Sequence, residues 1–116
     1  MNDVRITVGG AMEDESSRRF VDAWRRAGQG ETFHERHLVF ESWEALARIL
    51  SGKRMELPRY IHRHNVTSVR ALAKALNRDY SNVLADVQAL ANAGLLDSAN
   101  GTLRADYDAI ETRIAI

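Results

Sequence analysis

The stretch Ser68–Arg104, SVRALAKALNRDYSNVLADVQALANAGLLDSANGTLR, contains two helical patterns that are separated by a very short polar segment and followed by a hairpin signal. The first helix is predicted by apolar residues at i, i+3, i+4 and i+7, namely Val69, Leu72, Ala73 and Leu76. Thr67 or Ser68 can cap its start, because a hydroxyl oxygen accepts a backbone N–H of the first turn. Asn77 and Arg78 then leave room only for a tight turn, and asparagine tolerates the left-handed conformation that such a turn often needs.

The second pattern predicts a helix that begins after Asp79, whose carboxylate can accept the N–H groups left unpaired at a helix start. Its buried face is expected at Val83, Val87 and Leu90. Gly94 predicts its end, because glycine adopts a positive φ without steric penalty. Residues at the helix start or on the side away from the core are Tyr80, Ser81, Asn82, Ala85 and Asp86.

A hairpin is predicted next, because Asn100-Gly101 is a strong turn dipeptide and lies between Leu95-Leu96-Asp97 and Thr102-Leu103-Arg104. Two helices joined by a tight turn and followed by a hairpin form the outline of a winged helix-turn-helix. In helix-turn-helix proteins the residues near the start of the second helix contact base edges. The alternative is a generic helical pair followed by an unrelated hairpin.

This outline predicts a DNA-contacting set, with the basic side chains placed against phosphates: Arg70, Lys74, Arg78, Tyr80, Ser81, Asn82, Ala85, Asn100 and Arg104. Tyr80 is expected to contact a phosphate through its phenol, with burial as the alternative. Asp86 needs a neutralising partner, because a bare carboxylate repels phosphates. We expect Arg70 to be that partner, and readout of a cytosine amino group is the alternative role of Asp86.

The length of 116 residues fits one domain with a modest core. The absence of cysteine excludes disulfides and thiolate metal sites. No apolar run approaches the length of a membrane helix, and residues 1–10 do not resemble a secretory signal. We therefore expect a soluble protein of a bacterial or archaeal cytoplasm, with no membrane partner.

The formal net charge is zero, but the charge is unevenly distributed. Residues 53–104 contain eight Lys or Arg and four Asp or Glu, so this segment carries +4, while residues 1–52 and 105–116 carry −2 each. The basic excess coincides with the predicted DNA-binding segment. Ordinary solvated helix faces are the alternative explanation.

The remaining chain predicts further strands and helices. Residues 2–8 alternate as a half-buried strand, 13–27 form an amphipathic helix, and 36–40 form a short extended segment. Ser42 can cap a helix that runs toward Leu50, and another helix spans about 53–63. Pro58 lies in the second turn of that helix, so we expect a kink or a late helix start.

The C-terminal residues 110–116 alternate with Ile110, Ile114 and Ile116, which favours a strand. An apolar terminal strand needs a partner, so it is predicted to pair with the strand at Val4–Val8, within one chain or across a dimer. The predicted dimer or partner surface is Val4, Ile6, Val8, Phe20, Trp24, Ile114 and Ile116.

The predicted fold class is therefore α+β, a winged helix-turn-helix with an N-terminal strand-helix extension and a C-terminal strand. The extension covers residues 1–52 and serves dimerisation or partner binding, and the DNA-binding domain covers residues 53–116.

Catalysis and metal binding are not expected. No nucleophile stands beside a base, no glycine-rich phosphate loop is present, and no cofactor is predicted. The four histidines are His34, His37, His62 and His64. His62 and His64 are two residues apart and point to different faces of a helix, so surface positions near the DNA backbone are preferred over a metal site.

The run SVRALAKALNRDYSNVLADVQALANAGLL, with FESWEALARIL and KRMELPRYIHRH before it and LRADYDAI after it, resembles a family of small prokaryotic winged-helix proteins. They are generally called predicted transcriptional regulators and are distantly similar to MarR-type repressors. The resemblance covers roughly residues 15–116. It implies a DNA-binding regulator, and some members of the family are candidates for antitoxins encoded beside a toxin.

The expected function is that of a sequence-specific transcriptional regulator, a homodimeric repressor that binds double-stranded DNA. One alternative is an antitoxin that neutralises a cognate toxin through residues 1–50 and autoregulates its operon. The other is a winged helix used only for protein interaction, which is consistent with the neutral net charge and with the uncharged residues Ser81, Leu84 and Ala85.

Overall fold

The computed structural model of the chain describes residues 3–9 and 35–116. The chain divides into two compact units: unit 1 comprises Met1–Leu46 and Tyr107–Ile116, and unit 2 comprises Ala47–Asp106. The described elements, in chain order, are β1 (Asp3–Val8), β2 (Glu35–Phe40), α1 (Trp43–Ile49), α2 (Gly52–Arg63), α3 (Val69–Ala75), α4 (Tyr80–Asn92), β3 (Asp97–Ala99), β4 (Thr102–Arg104) and β5 (Ala109–Ile114). Helices and strands both contribute, as the predicted α+β class requires.

Unit 1 contains a sheet in the order β2-β1-β5, and β1 is parallel to both of its neighbours. Val4 is paired with Arg36 on one side and with Ile110 on the other. Parallel neighbours require a crossover connection. The connection from β1 to β2 passes through residues 10–34, so the helix predicted over 13–27, with Phe20 and Trp24, lies outside the described residues.

The central strand β1 is buried except at Asp3 and Arg5. Val4, Ile6 and Val8 are at most 2% exposed, and Thr7 on the opposite face of the strand is equally inaccessible. The predicted pairing of the N- and C-terminal strands is confirmed, and it occurs within one chain. This pairing also places β5 in unit 1, whereas the sequence-based division assigned residues 53–116 to one domain.

In unit 2 the predicted helix starts are confirmed by their caps. Ser68 Oγ accepts a hydrogen bond from Ala71 N at 3.0 Å, and Asp79 Oδ2 accepts one from Asn82 N at 3.3 Å. At the unit boundary, the start of α1 is capped in the same way, since Ser42 Oγ accepts from Ala45 N at 3.2 Å. Each cap satisfies an N–H that the helix itself leaves unpaired.

The turn between α3 and α4 is made by Asn77, which has a φ of 53°. Asn77 N donates to Lys74 O and Arg78 N donates to Ala73 O at 2.9 Å. These two bonds form a Schellman motif, in which a left-handed residue ends a helix and reverses the chain. α4 ends in the same way at Gly94, with a φ of 87°, and Leu95 N donates to Leu90 O at 2.8 Å.

The predicted hairpin is also present. β3 and β4 are antiparallel and joined by Asn100-Gly101, whose φ values of 54° and 85° are those that a type I′ turn requires at both central positions. Val66 forms an antiparallel bridge to Leu103, which extends the hairpin by one more strand segment. The hairpin therefore attaches to the chain just before α3.

The core of unit 2 is formed by apolar side chains from α2, α3 and α4 and from the hairpin with the residues just before it, chiefly Leu57, Ile61, Leu72, Val83, Val87, Leu90, Leu95 and Leu103. The predicted buried face of α4 is thus confirmed. α2 begins at Gly52 and continues through the buried Pro58 to Arg63, so of the two expected outcomes, a kink or a late start, the late start is wrong. Proline removes the hydrogen bond that a backbone N–H at this position would donate within the helix, and the Pro58 side chain is buried.

Candidate nucleic-acid interface

One face of α4 is exposed and carries no charge. It consists of Ser81, Asn82, Ala85, Gln88 and Asn92. Ser81, Asn82 and Ala85 were predicted from sequence as contact residues, whereas Gln88 and Asn92 were not. The helical spacing of i, i+4, i+7 and i+11 from Ser81 would have found them. Uncharged polar side chains of this kind can hydrogen-bond base edges without repelling phosphates.

Asp86 is turned away from this face into an ion-pair network. Its Oδ2 accepts a hydrogen bond from Arg78 Nη2 at 2.8 Å, and its Oδ1 accepts one from Arg54 Nε at 3.1 Å. The Asp86 side chain is only 14% exposed. The expectation that this carboxylate is neutralised is confirmed, but the predicted partner Arg70 is wrong.

The network joins three successive parts of unit 2. Arg54 lies in α2 and also donates through Nη1 to Arg48 O at 2.6 Å, Arg78 follows the turn after α3, and Asp86 lies in the middle of α4. Two guanidinium groups on one carboxylate leave an excess positive charge at this point. Arg78 is therefore held inside the unit by Asp86, with its side chain 18% exposed, rather than extended toward solvent as the predicted phosphate contact requires.

Arg70 instead contacts Tyr80. Its guanidinium carbon lies 4.8 Å from the centroid of the Tyr80 ring, within the range of a cation–π interaction. Both side chains are exposed, and the Tyr80 residue is 39% accessible. The contact connects the start of α3 to the start of α4. Because Tyr80 is exposed, the alternative prediction that it is buried is wrong.

The other predicted contact residues are accessible. Lys74 is exposed on α3, Asn100 is exposed at the tip of the hairpin, and Arg104 is exposed at the end of β4. The Arg104 side chain is 67% exposed, and its Nη1 is 4.0 Å from Asp106 Oδ2, an ion pair of little energetic weight at such exposure. Exposed positive charge is therefore carried by α3 at Arg70 and Lys74 and by the hairpin at Arg104.

A groove of about 510 Å³ lies between α4, the start of α3 and the hairpin. Leu84, Val87 and Ala91 line it from α4, Val69 from α3 and Leu103 from the hairpin. Its surface is largely apolar. Gln88 and Asn92 of the exposed α4 face also line the groove, so the two surfaces overlap. The groove could not be predicted from sequence because it depends on how the hairpin packs.

The predicted dimer or partner residues fall into three groups: buried, exposed and outside the described residues. Val4, Ile6 and Val8 are buried in β1, where neighbouring strands occupy both edges, so they are corrected from a contact surface to core residues. Ile114 is 47% exposed and Ile116 is fully exposed. Phe20 and Trp24 lie outside the part of the chain that the structure describes.

His62 in α2 and His64 at its C-cap each contact a backbone carbonyl oxygen. His62 Nδ1 is 2.7 Å from Ala105 O, and His64 Nδ1 is 3.0 Å from Tyr60 O. The His64 ring also stacks on the Tyr60 ring with centroids 4.0 Å apart. Among residues 3–9 and 35–116, no three His, Asp or Glu side chains converge in a way that could hold a metal ion.

The sequence model of a family described as HVO_A0114 matches residues 49–112, more than half of the chain. The chain belongs to the HVO_A0114 family. The HVO_A0114 match includes α2, α3, α4 and the hairpin, and therefore every described residue of the interface. No curated protein and no solved structure gives a significant match. In the described part of this HVO_A0114 chain, no helix is long and apolar enough to cross a membrane.

Proposed function

We propose that this protein is a transcriptional regulator that binds double-stranded DNA as a homodimer through a winged helix-turn-helix. α4 is the recognition helix, α3 is the helix that precedes it, and the β3–β4 hairpin is the wing. In proteins of this kind the recognition helix enters the major groove and the first helix crosses the backbone. The resemblance to MarR-like regulators and the prokaryotic cytoplasmic setting are part of the same proposal.

The inward position of Asp86 supports the proposal most strongly. An acidic residue in the middle of a recognition helix would repel phosphates, but here Arg54 and Arg78 hold the carboxylate inside the unit. The exposed face of α4 is thereby left uncharged, with Asn82 and Gln88 as hydrogen-bonding side chains. Amide side chains are well suited to adenine, which presents a donor and an acceptor in the major groove.

The surrounding charges support the same assignment. Arg70 and Lys74 are exposed on α3, and Arg104 is exposed on the hairpin, so cations are present on the elements that would cross the phosphate backbone. The cation–π contact fixes the position of Arg70 at the start of α4. Phosphate contacts position a protein on DNA, and base contacts give it sequence preference.

The first experiment measures fluorescence anisotropy of DNA taken from upstream of the protein's own gene and of a scrambled duplex of equal length, at two salt concentrations. We expect tighter binding to the upstream DNA and weaker binding to both at high salt, because neutralised phosphates release counterions. Weak and equal binding to both duplexes would contradict the proposal.

Two substitutions distinguish a residue that contacts phosphates from a residue that reads a base. Lys74→Ala is expected to weaken binding to all sequences and to lower the salt slope by about one. Arg48→Ala makes the same change in charge at an exposed position of α1, outside the proposed interface, and is expected to leave binding unchanged. Asn82→Ala is expected to relax the preference at one base position by about 1–3 kcal/mol. Equal losses on every sequence would exclude base reading by Asn82.

The uncharged α4 face and the apolar groove beside it favour a second candidate, a winged helix that binds a protein partner without DNA. Leu84 lines the groove without belonging to the proposed DNA-reading set. Leu84→Asp should abolish partner capture under this candidate. Salt-dependent retention of the wild-type protein on DNA would support the DNA-binding proposal and contradict this second candidate.

A further inference from the structure

The C-terminal strand β5 is an edge strand with apolar side chains exposed to solvent. In the described sheet order β2-β1-β5 it lies at one end, next to the buried central strand. Five of its six residues are exposed, and Ile114 is 47% accessible. An exposed edge strand presents a row of backbone N–H and C=O groups that can pair with another strand.

The direction of the backbone groups in β5 follows from its pairing with β1. Ala115 N donates to Val8 O at 3.0 Å, so residue 115 faces β1. Successive residues of a strand direct their N–H and C=O groups to alternate sides, so Arg113 and Glu111 also face β1. The N–H and C=O groups of Ile110, Thr112 and Ile114 therefore point to the outer edge.

The sequence of β5 is complementary to itself when it is read in the antiparallel direction. A two-fold axis at Thr112 places Ile110 opposite Ile114 of a second copy, and Glu111 opposite Arg113. Registers centred one residue away place Glu111 opposite Glu111 or Arg113 opposite Arg113. Like charges directly opposite each other destabilise an antiparallel pair, whereas opposite charges and apolar pairs stabilise it.

The Thr112 register also uses the outward backbone groups. A hydrogen-bonded pair at Thr112 exchanges both N–H···O bonds between the two copies, and Ile110 and Ile114 then exchange bonds in the next two pairs. Glu111 carries a long ion pair within the chain, 3.5 Å from Arg5 Nε, with both side chains about half exposed. Such a pair is weak, so Glu111 can exchange it for a contact with the second copy. Arg113 is exposed and also interacts within its own chain, and that interaction is exchanged in the same way.

We propose that two copies of this chain associate through antiparallel β5–β5 pairing centred on Thr112, which extends the three described strands into one sheet of six. The partner is a second copy because the pattern Ile-Glu-Thr-Arg-Ile complements itself in charge and in apolar contact. Such an interface is isologous, as a two-fold dimer requires. The inference rests on the proposed function for the homodimer and adds its surface and register.

Charge reversal provides the test. Glu111→Arg places two arginines opposite two arginines, and Arg113→Glu places two glutamates opposite two glutamates, so each variant alone is expected to dimerise roughly tenfold more weakly. Mixing the two variants restores both opposite-charge pairs and is expected to give a heterodimer as stable as the wild-type dimer. Sedimentation equilibrium of the DNA-free chains measures the four dissociation constants, those of the wild-type dimer, the two variant dimers and the heterodimer.

A cross-link provides a readout that does not depend on charge variants folding. The chain has no cysteine, so Thr112→Cys supplies a single thiol at the two-fold axis, and Val39→Cys supplies a matched thiol at an exposed position on the opposite edge strand. Paired Cα atoms at the axis would be about 5.5 Å apart. A short bis-maleimide is expected to cross-link the Thr112→Cys chain and to leave the Val39→Cys chain monomeric on a denaturing gel.

A wild-type chain that is monomeric throughout the concentration range would overturn the proposal, as would cross-linking of the Val39→Cys chain alone or unchanged dimerisation of both charge variants. The DNA experiment is independent of these outcomes. Loss of specific DNA binding with an intact cross-link would leave the β5 dimer standing. Specific DNA binding without the cross-link would remove this interface and retain the proposed function.

Discussion

Unit 2 is built from consecutive segments, whereas the sheet of unit 1 joins three strands that are far apart in the sequence. α3, α4 and the hairpin follow one another with turns of a few residues. β1 pairs with β2 and with β5, and the whole of unit 2 lies between β2 and β5 in the chain. Local caps and turns therefore specify the first region, and long-range pairing specifies the second.

This difference has an energetic consequence. Each helix end in the α3–α4 region is satisfied by a nearby residue, so many contributions of about 1 kcal/mol add up along a short stretch. The sheet of unit 1 depends on burying the large apolar side chains of one strand, because its parallel neighbours are far apart in the sequence and closing such long stretches of chain costs entropy. A few substitutions in unit 1 should therefore change the free energy of unfolding strongly, whereas many substitutions in unit 2 should change it moderately.

The largest effect is expected in β1. Ile6→Ala removes a side chain that is 1% exposed and should lower the free energy of unfolding by about 4 kcal/mol, because it loses apolar burial and leaves a cavity. Arg5→Ala, at the next position of the same strand, should change it by less than about 1 kcal/mol. Urea unfolding measures both, and equal effects would show that burial in β1 is not what stabilises the sheet.

The next effect is expected at the ion-pair network of unit 2. Asp86→Ala leaves Arg54 and Arg78 mostly buried without their carboxylate and should cost about 2 kcal/mol, somewhat less than for a fully buried pair. Asp106→Ala is the matched control, since its side chain is 63% exposed. If both variants unfold at the same urea concentration, the network does not hold α2 and α4 together.

Substitutions at Asn77 test whether the left-handed backbone or a side-chain contact stabilises the turn between α3 and α4. Asn77→Ala should cost about 1 kcal/mol, because alanine resists the φ of 53° found there, whereas Asn77→Gly should be close to neutral. Thermal unfolding compares the two variants. A glycine variant as unstable as the alanine variant would indicate that an asparagine side-chain contact, rather than the left-handed backbone, stabilises the turn.

The smallest effect is expected for Arg70 and Tyr80. A double-mutant cycle with Arg70→Ala and Tyr80→Ala should give a coupling of about 0.5 kcal/mol, the usual size for an exposed cation–π pair. Tyr80→Phe should preserve the coupling, because the ring face is retained. A coupling of zero would mean that Arg70 is not held at the start of α4 before DNA binds.

Most of the elements could be predicted from sequence, for identifiable reasons. Ser68, Asp79, Gly94 and Asn100-Gly101 act on atoms within a few residues, so their effects do not depend on the rest of the fold. The partner of Asp86 could not be predicted in this way. Arg54 is 32 positions away in the sequence, and only the packing of α2 against α4 brings the two charges to 3.1 Å.

Sequence by itself determined the order of helices, turn and hairpin in residues 68–104, because apolar periodicity, caps and left-handed residues are short-range properties of the chain. It also determined that the two terminal segments are strands that pair. The tertiary structure decided that β1 is the central strand, that β5 is an exposed edge and that Asp86 points inward. Each of these depends on which distant segments meet, and the free energy of those contacts is set by burial and geometry in three dimensions.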